Sequence, residues 1–315
     1  MNDRIPIRPH PMLATQVAEP VDRPGWAYEE KYDGYRILAY KEGAKVTLLS
    51  RNGKNRSETF PGIAAALKSL RDETVLLDGE VVAFDPKGIS RFQLLQQGGV
   101  AQAFAVFDCL FRNGRDLRRA PLSARRSELE SCIPKPSKQL FLSRRLAKNG
   151  LSAFRIAKRN GLEGLVAKDT AAPYEEGRSK KWLKVKIHQE EEFVIGGFTA
   201  PRGAREHLGA LLLGAYRNKD LRFVGKVGTG FSEAMLLALA KAFRPILRGS
   251  PSFVNPPREK DTTWLEPSLV AQIAFGEWTA DEKLRQPVFL GLRDDKKPRD
   301  CVMPAAHGPA IVEEP

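Results

Sequence analysis

Lys31 stands in the run Glu29-Glu30-Lys31-Tyr32-Asp33-Gly34-Tyr35-Arg36, which sets a lysine amine beside a tight acidic turn and an arginine. A covalent carrier of a nucleotidyl group needs this layout, an amine to attack phosphorus with charge close by to steady the phosphate. Lysine is a poor nucleophile while protonated. Chemistry at Lys31 therefore calls for a neighbourhood that lowers its pKa, by partial burial or by cations such as Arg36 or a metal. The same residues also read as a charged β-turn between apolar segments around Trp26 to Tyr28 and Ile37 to Tyr40, with Gly34 supplying a positive φ.

Two carboxylates carry a second chemical possibility. Glu80 and Glu163 lie in D/E-G contexts within or beside apolar strand-like runs, where an unpaired carboxylate is costly to bury. A hard divalent cation shared with phosphate oxygens would relieve that cost, and so would a buried salt bridge to a lysine. Lys184 and Lys186 are spaced i, i+2, so on a strand both amines face one side while Leu183, Val185 and Ile187 face the other. That pair reads either as two cations converging on a phosphate or as a solvated edge strand. Glu29, two residues before Lys31, shares a strand face with it.

The elements that must position these side chains are short. Tyr35–Tyr40 and Lys45–Ser50 around Glu42-Gly43 predict a hairpin, Phe60–Leu70 an amphipathic helix, and Thr74–Phe84 and Phe104–Phe111 buried strands. Leu122–Ser131 and Ser152–Asn160 predict helices, each with a serine at its first or second residue, the second closed by Gly161. Strands and helices do not alternate regularly, so an α+β domain on antiparallel sheets is expected. The charge reversal from KKWLKVK to QEEE near Ile187 to Glu192 marks a boundary and divides the chain into domains over 1–188 and 189–315. Beyond it, Phe193–Phe198, Ala210–Tyr216, Leu221–Val227 and Leu269–Trp278 read as strands, Ser232–Phe243 as a helix and Pro251–Pro257 as a loop. Five short strands with one helix suit a small closed β-barrel.

At 315 residues the chain is too long for one ordinary core, which agrees with two domains. Lys plus Arg outnumber Asp plus Glu by 51 to 38, a formal charge of +13 with pI near 9.7, and such a field attracts polyanions. Nucleic acid is favoured over an acidic membrane, because no basic amphipathic helix or apolar anchor accompanies the charge. Cys109, Cys132 and Cys301 are far apart and lack C-x-x-C spacing, which argues against a disulfide framework or zinc site and fits a reducing cytoplasm. His10, His188, His207 and His307 are scattered, giving no support to a histidine metal site. No segment has the apolar length to span a bilayer, and the start, with Asp3, Arg4 and several prolines, does not read as a signal peptide.

Six elements appear in order: KYDGYR at Lys31–Arg36, SRNGK at Ser50–Lys54, LLDGEVVAFD at Leu76–Asp85, GLEGLVAKD at Gly161–Asp169, KWLKVK at Lys181–Lys186 and FLGLRDDK at Phe289–Lys296. Through them the chain resembles the ATP-dependent DNA ligases of the covalent nucleotidyltransferase superfamily, most closely the ligase domain of bacterial DNA ligase D. The resemblance implies an antiparallel-sheet adenylation domain followed by an OB-fold. It makes Lys31 the nucleophile that forms a phosphoramidate with AMP, and has Asp33 and Gly34 shape the turn. It assigns Arg36 and Arg51 to the ribose or phosphates, Glu29 to the adenine amine, which guanine does not offer in that place, and Phe107 to stacking on the base. Glu80 and Glu163 would hold Mg2+, with Mn2+ able to substitute, while Asp78 orients the strand end or holds the site's hydrogen bonds. Trp182 would wall the purine pocket or sit in the core, and Lys184 and Lys186 would meet the α-phosphate. Arg293, Asp295 and Lys296 would swing over ATP to align pyrophosphate; taken alone, that segment reads as a charged solvated tail.

By the same resemblance the substrate is nicked or broken double-stranded DNA, the setting is repair including double-strand break end joining, and a Ku-type end-binding protein is the expected partner. A monomer in a bacterial cytoplasm, associated with the nucleoid, is implied. The start at Met1 and the end in Glu-Glu-Pro favour a free-standing two-domain chain. The competing readings are an RNA ligase or capping guanylyltransferase, a non-catalytic DNA-binding protein, and a structural adaptor for a repair complex.

Overall fold

The computed structural model describes residues 4–187, 189–201 and 207–304, and the chain divides into two units, Met1–His188 and Gln189–Pro315. His188 and His307 lie outside the described residues. The first unit opens with strands β1 (Met12–Gln16), β2 (Trp26–Lys31), β3 (Tyr35–Glu42) and β4 (Lys45–Ser50), then helix α1 (Pro61–Lys68), β5 (Thr74–Ala83) and α2 (Phe92–Gln97). It continues with β6 (Gln102–Arg112), β7 (Arg115–Asp116), α3 (Leu122–Cys132), β8 (Leu140–Leu142), β9 (Arg145–Ala147), α4 (Gly150–Arg159), β10 (Gly164–Asp169) and β11 (Gly177–Lys186).

These strands make two sheets, one ordered β1-β11-β10-β2-β9 and the other β4-β3-β5-β6-β7 with β8 on β6. Pairing is antiparallel except β1 on β11 and β8 on β6. Apolar side chains set three layers. Ile37, Leu48, Val75, Leu77, Val81 and Phe104 pack under α1 and α3 on the outer face of the second sheet. Tyr28, Leu165, Ala167, Leu183 and Val185 pack with Ala153 of α4 on the outer face of the first. Between the sheets lies a third cluster to which Met12 and Trp182 come from the first sheet and Leu38, Leu76 and Phe107 from the second. The inner faces of both sheets therefore meet on shared apolar ground.

Local chemistry accounts for the helices. Pro61 at the first turn of α1 has no backbone N–H to leave unpaired, and Ile63 and Leu67, four apart, are its buried stripe. Helix α4 begins at Gly150, before the expected Ser152, because the side chain of Asn149 accepts from Ser152 N at 2.8 Å and caps it. Gly161, at φ +66°, follows its end.

The expected turn at Gly34 is corrected. β2 and β3 belong to different sheets, so the residues between them carry the chain from one sheet to the other and do not close a hairpin. Gly34 is not among the positive-φ glycines. Its glycine requirement is steric, since a Cβ there would stand 2.1 Å from Val81 O and 3.0 Å from Glu80 Cγ. Asp33 ties the crossing down, with Oδ2 accepting from Phe92 N at 2.8 Å and its own N–H donating to Ser90 Oγ at 3.0 Å.

The second unit contains β12 (Glu190–Thr199), β13 (Leu211–Arg217), β14 (Asp220–Val227), α5 (Glu233–Phe243), β15 (Leu247–Arg248), β16 (Thr262–Ala274) and β17 (Val288–Leu292). Its sheet runs β14-β13-β12-β16-β15, with β17 also on β16, and β15 and β17 are additions to the four runs read as strands from the sequence. The long strand β16 starts earlier than Leu269 and stops before Trp278, because it pairs with β12 in two stretches, Thr262–Trp264 and Leu269–Ala274. The break between them lets one strand turn a corner and curl the sheet around Phe193, Leu213, Val224, Ile273 and Phe289, with Leu236 and Leu239 of α5 closing that core. Ser232 caps α5 through Met235 N.

Candidate active site

The register of the first sheet assembles the site. Lys31 on β2, Gly164 on β10 and Lys186 on β11 form one cross-strand row, and Glu29, Val166 and Lys184 form another. Directly paired residues share a face and alternate residues return to it, so Glu29, Lys31, Lys168, Trp182, Lys184 and Lys186 all stand on the inner face. Leu165, Ala167, Leu183 and Val185, the intervening residues, fill the outer core. Neighbouring strands lie about 4.8 Å apart, so the Lys31 and Lys186 backbones are about 10 Å apart, within reach of one phosphate. Gly164 has no room for a side chain, since a Cβ there would lie 2.1 Å from Val185 O.

Lys31 Nζ donates to Glu163 Oε1, which lies just before β10. Burial pushes the Lys31 ammonium down, but Glu163, with Asp33 and Glu80 behind it, outweighs burial and holds its pKa above the ordinary value. The expected lowering is corrected here. The charges around this amine are carboxylates, and Arg36 turns instead to Asp78, with Nε on Oδ1 at 2.5 Å and Nη2 on Oδ2 at 2.7 Å. Arg36 Nη2 also donates to Met12 O at 3.0 Å. Asp78 accepts from Tyr174 Oη at 2.6 Å as well, which gives it the hydrogen-bond-holding part expected of it. Burial pushes the Arg36 guanidinium down, but Asp78 holds it above its ordinary value.

Glu163 is 7% exposed, and its Oε2 is buried without a hydrogen-bond partner among the described residues. An orphaned carboxylate oxygen of this kind fits a hard cation. Glu80, opposite Arg36 in the β3–β5 ladder, is partly buried, and its charge bears on Lys31. No group of three or more His, Cys, Asp or Glu among the described residues is arranged to hold a metal by itself. A cation there would take the rest of its ligands from water and phosphate.

Glu29 is buried, as is its neighbour Glu30. At 3% exposure it accepts from Lys168 Nζ at 2.7 Å and Ser143 Oγ at 2.6 Å, with Arg126 Nη1 3.6 Å away. Burial raises its pKa, but Lys168 and Arg126 outweigh burial and hold it below the ordinary carboxylate range. Phe107 lies between the sheets, with Lys168 Nζ 4.3 Å and Arg36 Cζ 4.5 Å from its ring centroid. Trp182 stands edge-on to Phe107 and Tyr174 and is 2% exposed, a core position, with Nε1 unpartnered among the described residues. Arg51 sits in the turn after β4.

Arg293, Asp295 and Lys296 are in the second unit. The solvated-tail reading fails for the first two, which are 6% and 1% exposed. Arg293 forks onto Asp295 at 2.8 and 2.9 Å and reaches Gln272 Oε1 at 2.7 Å, while Lys296 pairs with Glu192 at 3.0 Å.

Sequence reasoning missed Lys168, Ser143, Arg126 and Tyr174. Lys168 had a signal, since the alternation Gly164, Val166, Lys168 carries it to the Lys31 face. Arg126 had none, because α3 buries Arg125, Arg126 and Leu129 together and so shows no clean apolar stripe. Arg125 is fully buried against Asp108 of β6, and Arg126 beside it turns to Glu29. One helix thus touches both sheets through adjacent arginines.

Comparison with known proteins bears on the family and the fold. A family model described as "ATP dependent DNA ligase domain" matches residues 11–186, and one described as "ATP dependent DNA ligase C terminal region" matches 204–296. "Multifunctional non-homologous end joining protein LigD" of Pseudomonas aeruginosa is 37% identical over 311 residues, 95% of this chain and 37% of that protein. "Multifunctional non-homologous end joining DNA repair protein LigD" of Mycobacterium tuberculosis is 36% identical over 300 residues, 93% of this chain and 39% of that protein. The chain thus spans about two fifths of the length of these curated relatives. Among solved structures, "mycobacterial DNA ligase D complexed with ATP and MES" is similar with a TM-score of 0.70 and 34% identity, covering 93% of this chain and 98% of that one.

Proposed function

The chain belongs to the ATP-dependent DNA ligases, its first unit a nucleotidyltransferase fold and its second an OB-fold, and on that premise we propose that it seals 3′-hydroxyl/5′-phosphate nicks in double-stranded DNA through a covalent lysyl-AMP on Lys31. The observation that carries this reading is the pairing of Lys31 with Glu163 together with the cross-strand row in which Lys31 and Lys186 flank Gly164 on one sheet face.

In the first step the Lys31 amine attacks the α-phosphorus of ATP, a P–N bond forms and the bond to pyrophosphate breaks. The ammonium proton must leave first, and Glu163 Oε1, already paired to Nζ, is placed to take it. Lys184 and Lys186 face the charge that grows on the α-phosphate oxygens. Glu163 and Glu80 are the residues that would hold a divalent cation, which when bound polarises those oxygens. The phosphate at a DNA 5′ end then attacks the same phosphorus and frees Lys31. A 3′-hydroxyl finally attacks that 5′-phosphate, and AMP departs.

Glu29 faces the adenine amine, and Phe107 stands at the inner edge of the base site. The Arg293-Asp295-Lys296 element is assigned to pyrophosphate alignment. The substrates extend to broken ends, in company with a Ku-type end-binding protein, in a bacterial cytoplasm beside the nucleoid. The relatives named for non-homologous end joining support that extension. No helix among the described residues is long and apolar enough to cross a membrane.

The test uses the whole chain, cleared of any bound AMP with pyrophosphate, then incubated with α-labelled ATP and magnesium beside Lys31→Ala. Acid-labile label on the wild type alone, followed by sealing of a nicked duplex, is expected. Sealing that survives in Lys31→Ala would sink the mechanism.

A further inference from the structure

The carboxylate of Glu29 is held from one side. Its Oε2 accepts two hydrogen bonds, from Ser143 Oγ at 2.6 Å and Lys168 Nζ at 2.7 Å. Its Oε1 lies 3.6 Å from Arg126 Nη1 and accepts no hydrogen bond among the described residues. The groups that hold Oε2 are themselves fixed. Ser143 Oγ accepts from Arg126 Nη1 at 3.1 Å, and Ser143 O accepts from Nη2 at 3.2 Å. Arg126 Nε is anchored on Glu130 at 3.0 Å. The Lys168 ammonium, 2% exposed, is flanked by the rings of Phe107 and Trp182, 4.3 and 4.4 Å from their centroids.

We propose that Lys168 and Ser143 are the specificity-determining positioning residues of the nucleotide site: by saturating Oε2 they hold Glu29 as an ionised acceptor whose Oε1 alone is offered to the base. The inference rests on the reading that this site takes ATP. An acceptor fixed in this way bonds the exocyclic amine of adenine and opposes the carbonyl oxygen of guanine, because two acceptors facing each other in a buried site leave both unpaired. A carboxyl that had lost its buried cation could take a proton or rotate. Its O–H would then donate to a carbonyl, and the preference would fade. Neither residue touches the reacting phosphorus, so its effect appears in which base is chosen.

The experiment measures kcat/KM for formation of the covalent nucleotidyl enzyme with ATP, GTP and purine riboside triphosphate, which lacks the amine. Wild type, Lys168→Met and Ser143→Ala are compared, and thermal melting confirms folding. A lost hydrogen bond to a charged group corresponds to about ten- to a hundredfold. Lys168→Met is expected to lower the ATP:GTP ratio by that factor, through KM for ATP, and to narrow the preference for ATP over purine riboside triphosphate. Ser143→Ala is expected to shift both ratios in the same sense by about tenfold, and Lys168→Arg, which keeps the charge, to restore part of the loss. Should Lys168→Met not fold, Ser143→Ala decides alone. Equal losses for all three nucleotides, or unchanged ratios in Ser143→Ala, would overturn the proposal. A wild type that takes no label from any triphosphate would instead overturn the ATP reading and this inference with it.

Discussion

Gly34→Ala separates the geometry of the crossing between β2 and β3 from its chemistry, because it adds one methyl group and removes no functional atom. The new Cβ would stand 2.1 Å from Val81 O, and ordinary contact begins at 3.4 Å, so the overlap is about 1.3 Å. Val81 lies inside β5, paired with Tyr35 on one side and Phe104 on the other, and its carbonyl cannot yield as the end of a flexible side chain would. The crossing must move instead, and Lys31 is three residues upstream of the clash. A displacement of about 1 Å at a reacting group costs on the order of a hundredfold in rate, about 2.7 kcal/mol in the barrier. The assay is single-turnover formation of the lysyl-AMP enzyme from α-labelled ATP, with circular dichroism melting to establish that the first unit is folded. Gly62→Ala is the control. It lies in α1 with nothing within 4 Å of the added Cβ, so labelling should be unchanged and stability raised by up to about 1 kcal/mol. If Gly34→Ala labels at the wild-type rate, the close approach to Val81 does not position the amine and the reasoning fails.

The buried pair of Arg125 and Asp108 gives a stability prediction. Arg125 meets Asp108 at 2.8 and 2.9 Å and donates further to Ala120 O and Ala172 O at 2.6 and 3.0 Å. Arg125→Met leaves a carboxylate uncompensated in the core and should cost about 3–5 kcal/mol in urea unfolding, while Arg125→Met with Asp108→Leu should recover most of it; equal losses in the two would refute the account. Glu29 gives a pH prediction. Burial raises its pKa, but Lys168 and Arg126 outweigh burial and hold it below its ordinary 4.5. Its stabilisation is therefore present above that value and lost as pH falls through the lower folded-state value. Glu29→Gln should be most destabilising near neutral pH, with the gap to wild type closing below 4.5; a gap that widens on acidification would show the sign to be wrong.

How much was legible can be judged at particular residues. The alternation of KKWLKVK placed Lys184 and Lys186 on one face and Leu183 and Val185 on the other, and the sheet keeps that division. The hairpin of β3 and β4 and the span of α1 were readable because turn residues and helical spacing act within a few positions. Gly34 was marked as special for the wrong reason. Its constraint comes from a carbonyl on β5, far along the chain, which local backbone preference does not register.

The sequence by itself determined the residue types of the site, the strand faces that carry them and the family to which the six elements belong, because these depend on spacing within short segments. Tertiary structure alone decided which charges meet. Lys31 finds Glu163 across 132 residues, and Arg36 is taken by Asp78 across 42. It also decided that Glu29 is held by Lys168 across 139 residues and by Ser143 across 114. Such pairings follow from strand register and from the burial that makes an unpaired charge costly, and both are properties of the folded chain as a whole.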